Sequence, residues 1–193
     1  MLSTAATTEA RILDAAAALF CERGYHAATM RDLAAEVGIK AGSLYNHTTG
    51  KEELLFRIAH GVMSELLEGG RAAIAGRETP RDALRALILY HVVYHAENRE
   101  RARVADEQLD ALSPGLRAEV VALRDAYDAL FKELLAAGRD EHGWIVESVP
   151  VLTFGIGGMC TWVDAWYRPG GPLSAAEIGA IYAGFVLRGL EPQ

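Results

Sequence analysis

Apolar residues recur every three or four positions through the first part of the chain, which is the spacing of one face of an α-helix. Residues 9–22 carry such a stripe, and Gly24 ends it. Thr7 or Thr8 is expected to cap this helix, because a threonine hydroxyl satisfies a free amide of the first turn. No proline occurs before Pro80, and the apolar positions do not alternate as they do in a half-buried strand. The pattern therefore predicts an all-α protein.

Capping signals mark the short helices that follow. Thr29 begins a second helix, and Asp32 stands at the reciprocal position of a capping box. This helix is expected to end after about two turns, and a third short helix is expected at residues 41–47. Thr49 and Glu52 then form a capping box for a long fourth helix.

The rest of the chain predicts five more helices, separated by Gly, Pro or Ser. We expect them at about residues 80–97, 99–110, 114–138, 146–167 and 175–189. The clearest boundary lies between the last two, where Pro169 and Pro172 flank two glycines and Ser174 with Glu177 forms another capping box. The uncharged run 148–163 is shorter than the roughly 20 residues that a bilayer requires, so it predicts a buried helix.

Composition and charge narrow the class of protein. The chain of 193 residues is 51% hydrophobic and carries a formal net charge of −7, so it can fill a core but lacks the basic excess of a protein that coats nucleic acid. Residues 1–51 hold five basic and five acidic residues, which makes this segment the best suited to approach phosphate. The first eight residues lack the features of a signal peptide, and two cysteines make no disulfide framework. We therefore expect a cytoplasmic protein.

The spacing around residue 38 is typical of a helix-turn-helix. Two short helices that cross steeply need a small residue where they approach, a residue able to adopt positive φ at the turn, and an aliphatic anchor in the second helix. Ala34, Gly38 and Leu44 supply these at offsets of four and six residues, and Ile39 fills the space beneath the turn.

The segment from Ala28 to Leu55, ATMRDLAAEVGIKAGSLYNHTTGKEELL, resembles the DNA-binding domain of the TetR family of regulators. Thr48 and Thr49 depart from the family pattern, which usually has an aromatic residue there. The segment from Trp162 to Leu190 is similar to the dimer-forming end of one subgroup, in which several members respond to acyl-CoA thioesters. Such a ligand would need a basic contact, for which the candidates are Arg99, Arg101, Arg103 and Arg168.

The resemblance implies that the third helix enters the major groove of DNA. Base contacts are expected from Lys40 and Ser43, with Lys40 on a guanine edge, while Ala41 and Gly42 offer apolar contact or close backbone approach. Phosphate contacts are expected from Thr29, Tyr45, His47 and Lys51. A purely structural role is the alternative for Tyr45 and His47.

Glycines interrupt the helix predicted at 146–167. Each costs about 1 kcal/mol relative to alanine, so packing must compensate. We expect this helix and the one at 175–189 to pair with their copies as a four-helix bundle. The residues expected at this dimer interface are Gly155, Gly158, Trp166, Ile178, Ile181, Tyr182 and Phe185. The alternative is that the glycines open space for a ligand.

An aromatic and histidine-rich helix supplies the candidate ligand pocket, because polar tips on an apolar wall orient a mostly apolar ligand. The residues expected to bind the ligand are Tyr90, His91, Tyr94, His95, Phe154, Met159 and Trp162. Ordinary core packing is the alternative. His91 and His95 have the spacing of metal ligands, but no third ligand lies at a fixed local spacing, so we expect neither a metal nor a cofactor.

These observations predict an N-terminal three-helix helix-turn-helix DNA-binding domain at 1–50 and a helical-bundle ligand-binding and dimerisation domain at 51–193, about nine helices in all. Helix 4, from about residue 51, links them. We expect a homodimeric, sequence-specific repressor that a small apolar or acyl-CoA-like effector releases from a palindromic operator. No catalytic residues occur at a recognisable spacing, so we expect no enzyme. A helical ligand carrier or co-regulator that no longer binds DNA is the alternative.

Overall fold

Helices form the regular structure throughout the described part of the chain. A computed structural model describes residues 4–192, with side chains from residue 8 onward. The first half contains α1 (Thr4–Arg23), α2 (Met30–Val37), α3 (Ala41–Leu44), α4 (Lys51–Ile74) and α5 (Pro80–Glu97). The second half contains α6 (Arg99–Glu107), α7 (Pro114–His142), α8 (Val149–Thr161), α9 (Val163–Trp166) and α10 (Ala175–Leu190). The prediction of an all-α fold is confirmed.

The structure corrects several predicted helix ends in the N-terminal half. α1 begins at Thr4, so Thr8 lies inside the helix and does not cap it, while the side chain of Thr7 lies outside the described residues. α3 ends at Leu44 and not at His47. Its last turn tightens, because the amide of His47 bonds the carbonyl oxygen three residues back at Leu44 (2.9 Å).

The C-terminal helices also differ from the prediction in their ends. α6 stops at Glu107, and a short 3₁₀ turn at Leu109–Ala111 follows it. α7 continues to His142, beyond the predicted end at 138. The single helix predicted at 146–167 is divided at Trp162 into α8 and α9. No helix within residues 4–192 is both long enough and apolar enough to cross a membrane.

The chain forms two compact units. One contains Met1–Met63 and Glu100–Val121, and the other contains Ser64–Arg99 and Ala122–Gln193. α4 and α7 each contribute residues to both units. The compact units therefore do not follow the boundary expected at residue 50, and the functional division at that residue stays a prediction.

The first unit has an aliphatic core beneath its short helices. α1 contributes Ile12 and Phe20, α3 contributes Leu44, and all three are almost completely buried. The other buried side chains from α2 and α4 in this unit are Leu33, Ala34, Val37, Leu54, Leu55, Ile58, Ala59, Val62 and Met63. Because the buried face of α3 rests on Leu44, its remaining side chains are left at the surface.

The second unit is built around α5, which packs against α8, α9 and α10. α10 comes very close to α5 at Gly179, where an added Cβ would lie 3.2 Å from the Cα of Leu89. A glycine is needed at this position because any side chain would press on the backbone of α5. The close packing buries Leu84, Leu87 and Ile88 almost completely.

Candidate nucleic-acid interface and ligand site

The turn between α2 and α3 has the geometry that the sequence predicts. Gly38 adopts φ 75° and ψ 31°, the left-handed conformation that glycine adopts without strain. The next amide, that of Ile39, bonds the carbonyl oxygen of Ala34 at 2.9 Å and so closes the end of α2. Ala34 and Leu44 are both buried, as the helix-turn-helix spacing requires.

A capping box holds the start of α2. The amide of Asp32 donates to Oγ1 of Thr29 (3.2 Å), and the carboxylate of Asp32 accepts from the amide (3.1 Å) and the hydroxyl (2.6 Å) of Thr29. These hydrogen bonds from Thr29 lower the pKa of Asp32. In this structure the hydroxyl of Thr29 donates its proton to the carboxylate of Asp32, and its predicted phosphate contact stays a prediction.

The outward side of α3 and its tight final turn form a continuous exposed surface. Tyr45 is 56% exposed although it is a large aromatic side chain. The other predicted DNA contacts of this segment are also exposed, namely Lys40, Ala41, Gly42, Ser43 and His47. The structure thus brings these six predicted residues together on one surface.

Lys51 has an internal role that the sequence did not indicate. Its Nζ donates to the carbonyl oxygens of Tyr25 (2.6 Å), His26 (3.3 Å) and Ala28 (3.0 Å), and it lies 4.3 Å from the centre of the Tyr25 ring. An ammonium group has three protons to donate, and these three bonds use them. In this structure the Lys51 side chain ties α4 to the segment before α2, and its predicted phosphate contact stays a prediction.

The start of α4 is capped one residue later than predicted. Because Gly50 separates Thr49 from the helix, the carboxylate at the third helical position belongs to Glu53, whose Oε2 accepts from Oγ1 of Thr49 (2.7 Å). Glu52 instead accepts from the amide of Ser113 (2.7 Å). Thr48 is buried, and its hydroxyl donates to the carbonyl oxygen of Gly50 (2.9 Å). Thr48 therefore supports this turn where the family pattern has an aromatic residue.

Two lysine variants separate structural stabilisation from DNA contact. We expect Lys51→Met to lower the free energy of unfolding by about 1–2 kcal/mol, because three charge-assisted hydrogen bonds are lost. We expect Lys40→Ala to leave the melting temperature unchanged but to weaken DNA binding by about tenfold or more, because this exposed lysine is predicted to contact a base edge. Thermal unfolding and fluorescence anisotropy on duplex DNA measure the two effects. A stable Lys51→Met protein with weakened DNA binding would contradict the assignment.

A buried polar cluster lies between α5, α7 and the end of α8. Nδ1 of His91 lies 3.1 Å from the hydroxyl oxygen of Tyr127, and its Nε2 lies 3.0 Å from Oγ1 of Thr161. The ring of His95 stacks on that of His91 with their centres 4.4 Å apart. We call His91, His95, Tyr127 and Thr161 the histidine cluster. Nδ1 of His95 is buried and has no hydrogen-bond partner within the described residues.

The hydroxyls of the two tyrosines of α5 bond to Glu65 and not to the histidine cluster. The hydroxyl of Tyr90 donates to the carbonyl oxygen of Glu65 (2.7 Å), and that of Tyr94 donates to the carboxylate of Glu65 (2.7 Å). Tyr90 also lies against Gly69, where a Cβ would collide with its ring. Of the four α5 residues predicted for the ligand, the structure therefore groups only His91 and His95.

Sequence reasoning missed Tyr127 and Thr161 as members of the histidine cluster. Tyr127 is buried in α7, and its pKa lies well above its ordinary value because burial disfavours the phenolate. Its only sequence signal was a helical spacing of aromatic residues with Phe131, which did not link it to α5. Thr161 had no signal, because its contact depends on how α8 packs against α5.

Two of the four basic residues predicted as candidates for an acyl-CoA contact have hydrogen bonds within the protein. Nε of Arg99 donates to the carbonyl oxygen of Asp164 (2.7 Å). Nε of Arg103 donates to the carboxylate of Glu107 (2.9 Å). Arg168 is exposed after α9. No group of three or more metal-ligating His, Cys, Asp or Glu residues occurs in the described part of the chain.

An exposed apolar face covers one side of α8, α9 and α10. Phe154 is 73% exposed and Trp162 is 64% exposed, so the described chain does not enclose them, and their predicted ligand contact stays a prediction. They belong to the same face as Trp166, Ile181 and Phe185 of the predicted dimer interface. We call these five residues the apolar face.

The glycines of α8 lie beside the apolar face. A Cβ added at Gly155 or Gly158 would meet no atom within 4 Å, so nothing in the described chain fills the space above them. An open cleft of about 440 Å³ runs between α8 and α10, with Gly155, the half-buried Met159 and Phe185 in its lining.

The predicted interface residues of α10 separate according to helix phase. Ile178 is 3% exposed and packs inside the unit, so its predicted place at the dimer interface is wrong. Ile181, three residues later, is exposed, and Tyr182 is half-buried. Three positions along an α-helix offset two side chains by roughly 60°, and this offset separates the exposed Ile181 from the buried Ile178.

Burial holds both histidines of the cluster in their neutral forms. Burial lowers the pKa of His95 from its ordinary value of 6.5 to about 4. Burial, together with the neighbouring His95, lowers the pKa of His91 well below its ordinary value. At neutral pH the cluster therefore presents uncharged imidazoles and hydroxyls.

Acid should destabilise the protein through these histidines. Between pH 6.5 and about 4 the unfolded chain binds a proton at position 95 that the folded chain does not bind. The free energy of unfolding therefore keeps the full contribution of His95 above pH 6.5 and falls as the pH drops towards 4. The loss from His95 is on the order of 3 kcal/mol. We expect His95→Leu to reduce this pH dependence, as measured by urea unfolding at pH values across this interval. An unchanged dependence in His95→Leu would contradict the assignment.

A capped helix, a glycine turn and an exposed second helix, followed by a larger helical region, define a helix-turn-helix DNA-binding protein. Residues 12–58 match the family described as "Bacterial regulatory proteins, tetR family". Residues 77–190 match the family described as "Tetracyclin repressor-like, C-terminal domain". The chain belongs to the TetR family and is a DNA-binding transcriptional regulator.

Relatives named as transcriptional repressors match nearly the whole chain. The HTH-type transcriptional repressor KstR2 of Rhodococcus jostii (strain RHA1) is 32% identical over 183 residues, which cover 93% of this chain and 89% of that protein. KstR2 of Mycobacterium tuberculosis (strain ATCC 25618 / H37Rv) is 30% identical over 182 residues, covering 93% and 90%.

Solved structures show the same architecture. The structure of KstR2 of Mycobacterium tuberculosis superposes with a TM-score of 0.90 at 26% identity and covers 100% of this chain and 98% of that one. AibR, solved in complex with isovaleryl coenzyme A and operator DNA, has a TM-score of 0.80 at 26% identity and covers 92% and 97%.

Proposed function

We propose that this protein is a cytoplasmic, homodimeric repressor that binds a palindromic operator and is released from it by a small apolar ligand, with acyl-CoA thioesters as the leading class. The exposed surface of α3 carries the proposal. Six residues predicted to contact DNA lie on that segment, while Leu44 anchors it from beneath. A helix presented in this way fits the major groove.

The comparisons support a repressor that responds to a ligand. The KstR2 relatives are named repressors, and AibR was solved with an acyl-CoA and its operator together. α4 is shared between the two compact units, so a change in the second unit can reach the DNA-binding helices through a continuous helix. A ligand that favours a different position of α4 would then lower the affinity for the operator.

Operator release by an acyl-CoA tests this function. We expect the protein to bind a duplex from the region upstream of its own gene, with an affinity that falls steeply as salt rises, because phosphate contacts release counterions. Saturating octanoyl-CoA should weaken binding at least tenfold, and coenzyme A alone should not. Fluorescence anisotropy measures both effects, with a shuffled duplex as the control.

The two possible failures of this experiment have different meanings. Binding to the shuffled duplex with equal affinity, or no binding to either duplex, would contradict sequence-specific repression and favour a ligand carrier. Specific binding that octanoyl-CoA leaves unchanged would contradict only the acyl-CoA class of effector.

The apolar face supports the homodimer. Large exposed apolar patches mark association surfaces, and this face carries Phe154 at 73% and Phe185 at 63% exposure. Glycines beside it allow close approach of a second helix pair, as in a four-helix bundle. A two-fold dimer also matches the symmetry of a palindromic operator.

A charge placed on the apolar face should dissociate the dimer. We expect Phe154→Glu to shift the protein from dimer to monomer, because an unpaired carboxylate would be buried between the subunits. Ala118→Glu, an acidic substitution at an exposed position of α7, is the matched control and should stay dimeric. Sedimentation velocity measures the change. A dimeric Phe154→Glu protein would place the interface elsewhere.

A further inference from the structure

The hydrogen bonds of His91 leave one proton of the histidine cluster without an acceptor. A neutral imidazole has one N–H donor and one lone pair. One of the two hydroxyls that flank His91 must therefore donate to the ring, and the other must accept from it. The hydroxyl that accepts keeps its own proton, for which the described residues show no acceptor. This holds whether that hydroxyl belongs to Tyr127 or to Thr161.

His95 adds a second unsatisfied group to the same cluster. Its side chain is buried, its ring stacks on that of His91, and its Nδ1 has no hydrogen-bond partner in the described chain. Buried polar atoms of native proteins almost always have partners, and those without one commonly belong to functional sites. An apolar residue at position 95 would avoid the destabilisation that comes from burying a nitrogen without a partner. The histidine is therefore a candidate for a role in binding.

The cluster also lacks the charge that an anionic group would need. The hydrogen bonds and pKa shifts of His91 and His95 involve no Lys, Arg, Asp or Glu side chain within the described residues. Burying a carboxylate without a cation beside it is strongly unfavourable. A neutral oxygen, by contrast, accepts hydrogen bonds at little desolvation penalty.

We infer that the histidine cluster binds a neutral carbonyl or hydroxyl oxygen carried on an apolar ligand body, and that it rejects a free carboxylate. The spare hydroxyl proton of Tyr127 or Thr161 is donated to this oxygen. Nδ1 of His95 donates to it in one tautomer, or accepts from a ligand hydroxyl in the other. The inference rests on the proposed function, because it concerns the end group of the effector.

Matched probes of equal chain length test this selectivity. Methyl octanoate and octanol carry neutral oxygens, whereas octanoate carries a carboxylate at neutral pH. We expect the purified full-length protein to bind methyl octanoate and octanol at least tenfold more tightly than octanoate, measured by isothermal titration calorimetry. Equal or tighter binding of octanoate would overturn the inference, and so would the failure of all three probes to bind.

Two variants connect the selectivity to the cluster. His95→Leu and Thr161→Val each remove a polar group and keep a similar volume, and each should weaken methyl octanoate binding at least fivefold with little effect on octanoate. His142→Leu, the same exchange as at position 95 but at the exposed end of α7, is the control and should retain the wild-type preference. Folding is checked by circular dichroism. A wild-type preference in both folded cluster variants would overturn the inference.

The inference and the proposed repression can be contradicted independently, because ligand binding and operator binding are measured in separate experiments. Calorimetry uses no DNA, so a protein that prefers neutral oxygens but does not bind its upstream DNA would sustain the inference and contradict repression. A protein that binds its operator and is released by octanoyl-CoA, but prefers octanoate to methyl octanoate, would sustain repression and overturn the inference.

Discussion

The packing of the second compact unit depends on how the buried polar side chains of α5 find hydrogen-bond partners. A buried polar group without a partner costs about 1–3 kcal/mol, so each such side chain on a core helix constrains its neighbours. His91 holds α7 and the end of α8 in place through its hydrogen bonds with the hydroxyls of Tyr127 and Thr161. Tyr90 and Tyr94 fix the second half of α4 through Glu65. The position of α5 thus determines where its neighbouring helices lie, and Nδ1 of His95 is left without a hydrogen-bond partner within the described residues.

The same requirement explains which residues of the helix-turn-helix are available to DNA. Thr29 and Lys51 satisfy backbone or capping groups within the protein, so their polar atoms hold the motif in place. The exposed residues of α3 have no such role in capping the neighbouring helices. Residue types that contact phosphate are also those that cap helices, and for this reason the sequence pattern could not separate the two roles.

The apolar face is subject to a different constraint, which acts on exposed apolar side chains and not on buried polar ones. Exposed aromatic side chains are unfavourable in water unless another surface covers them. These side chains lie on both parts of the predicted helix that is divided at Trp162, namely α8 and α9, and on α10. A second copy of the chain in the proposed dimer would cover this face beside the unfilled glycines.

The sequence by itself determined the all-α fold, the order of the helices and the helix-turn-helix, because helical periodicity, capping boxes and the spacing of Ala34, Gly38 and Leu44 are local signals. Tertiary structure alone decided which residues share a site. Tyr127 and Thr161 reach His91 across long stretches of chain, and no local pattern encodes such contacts. Helix phase and the side-chain partners of each polar group depend on packing, so the histidine cluster, the role of Lys51 and the burial of Ile178 became visible only in the folded chain.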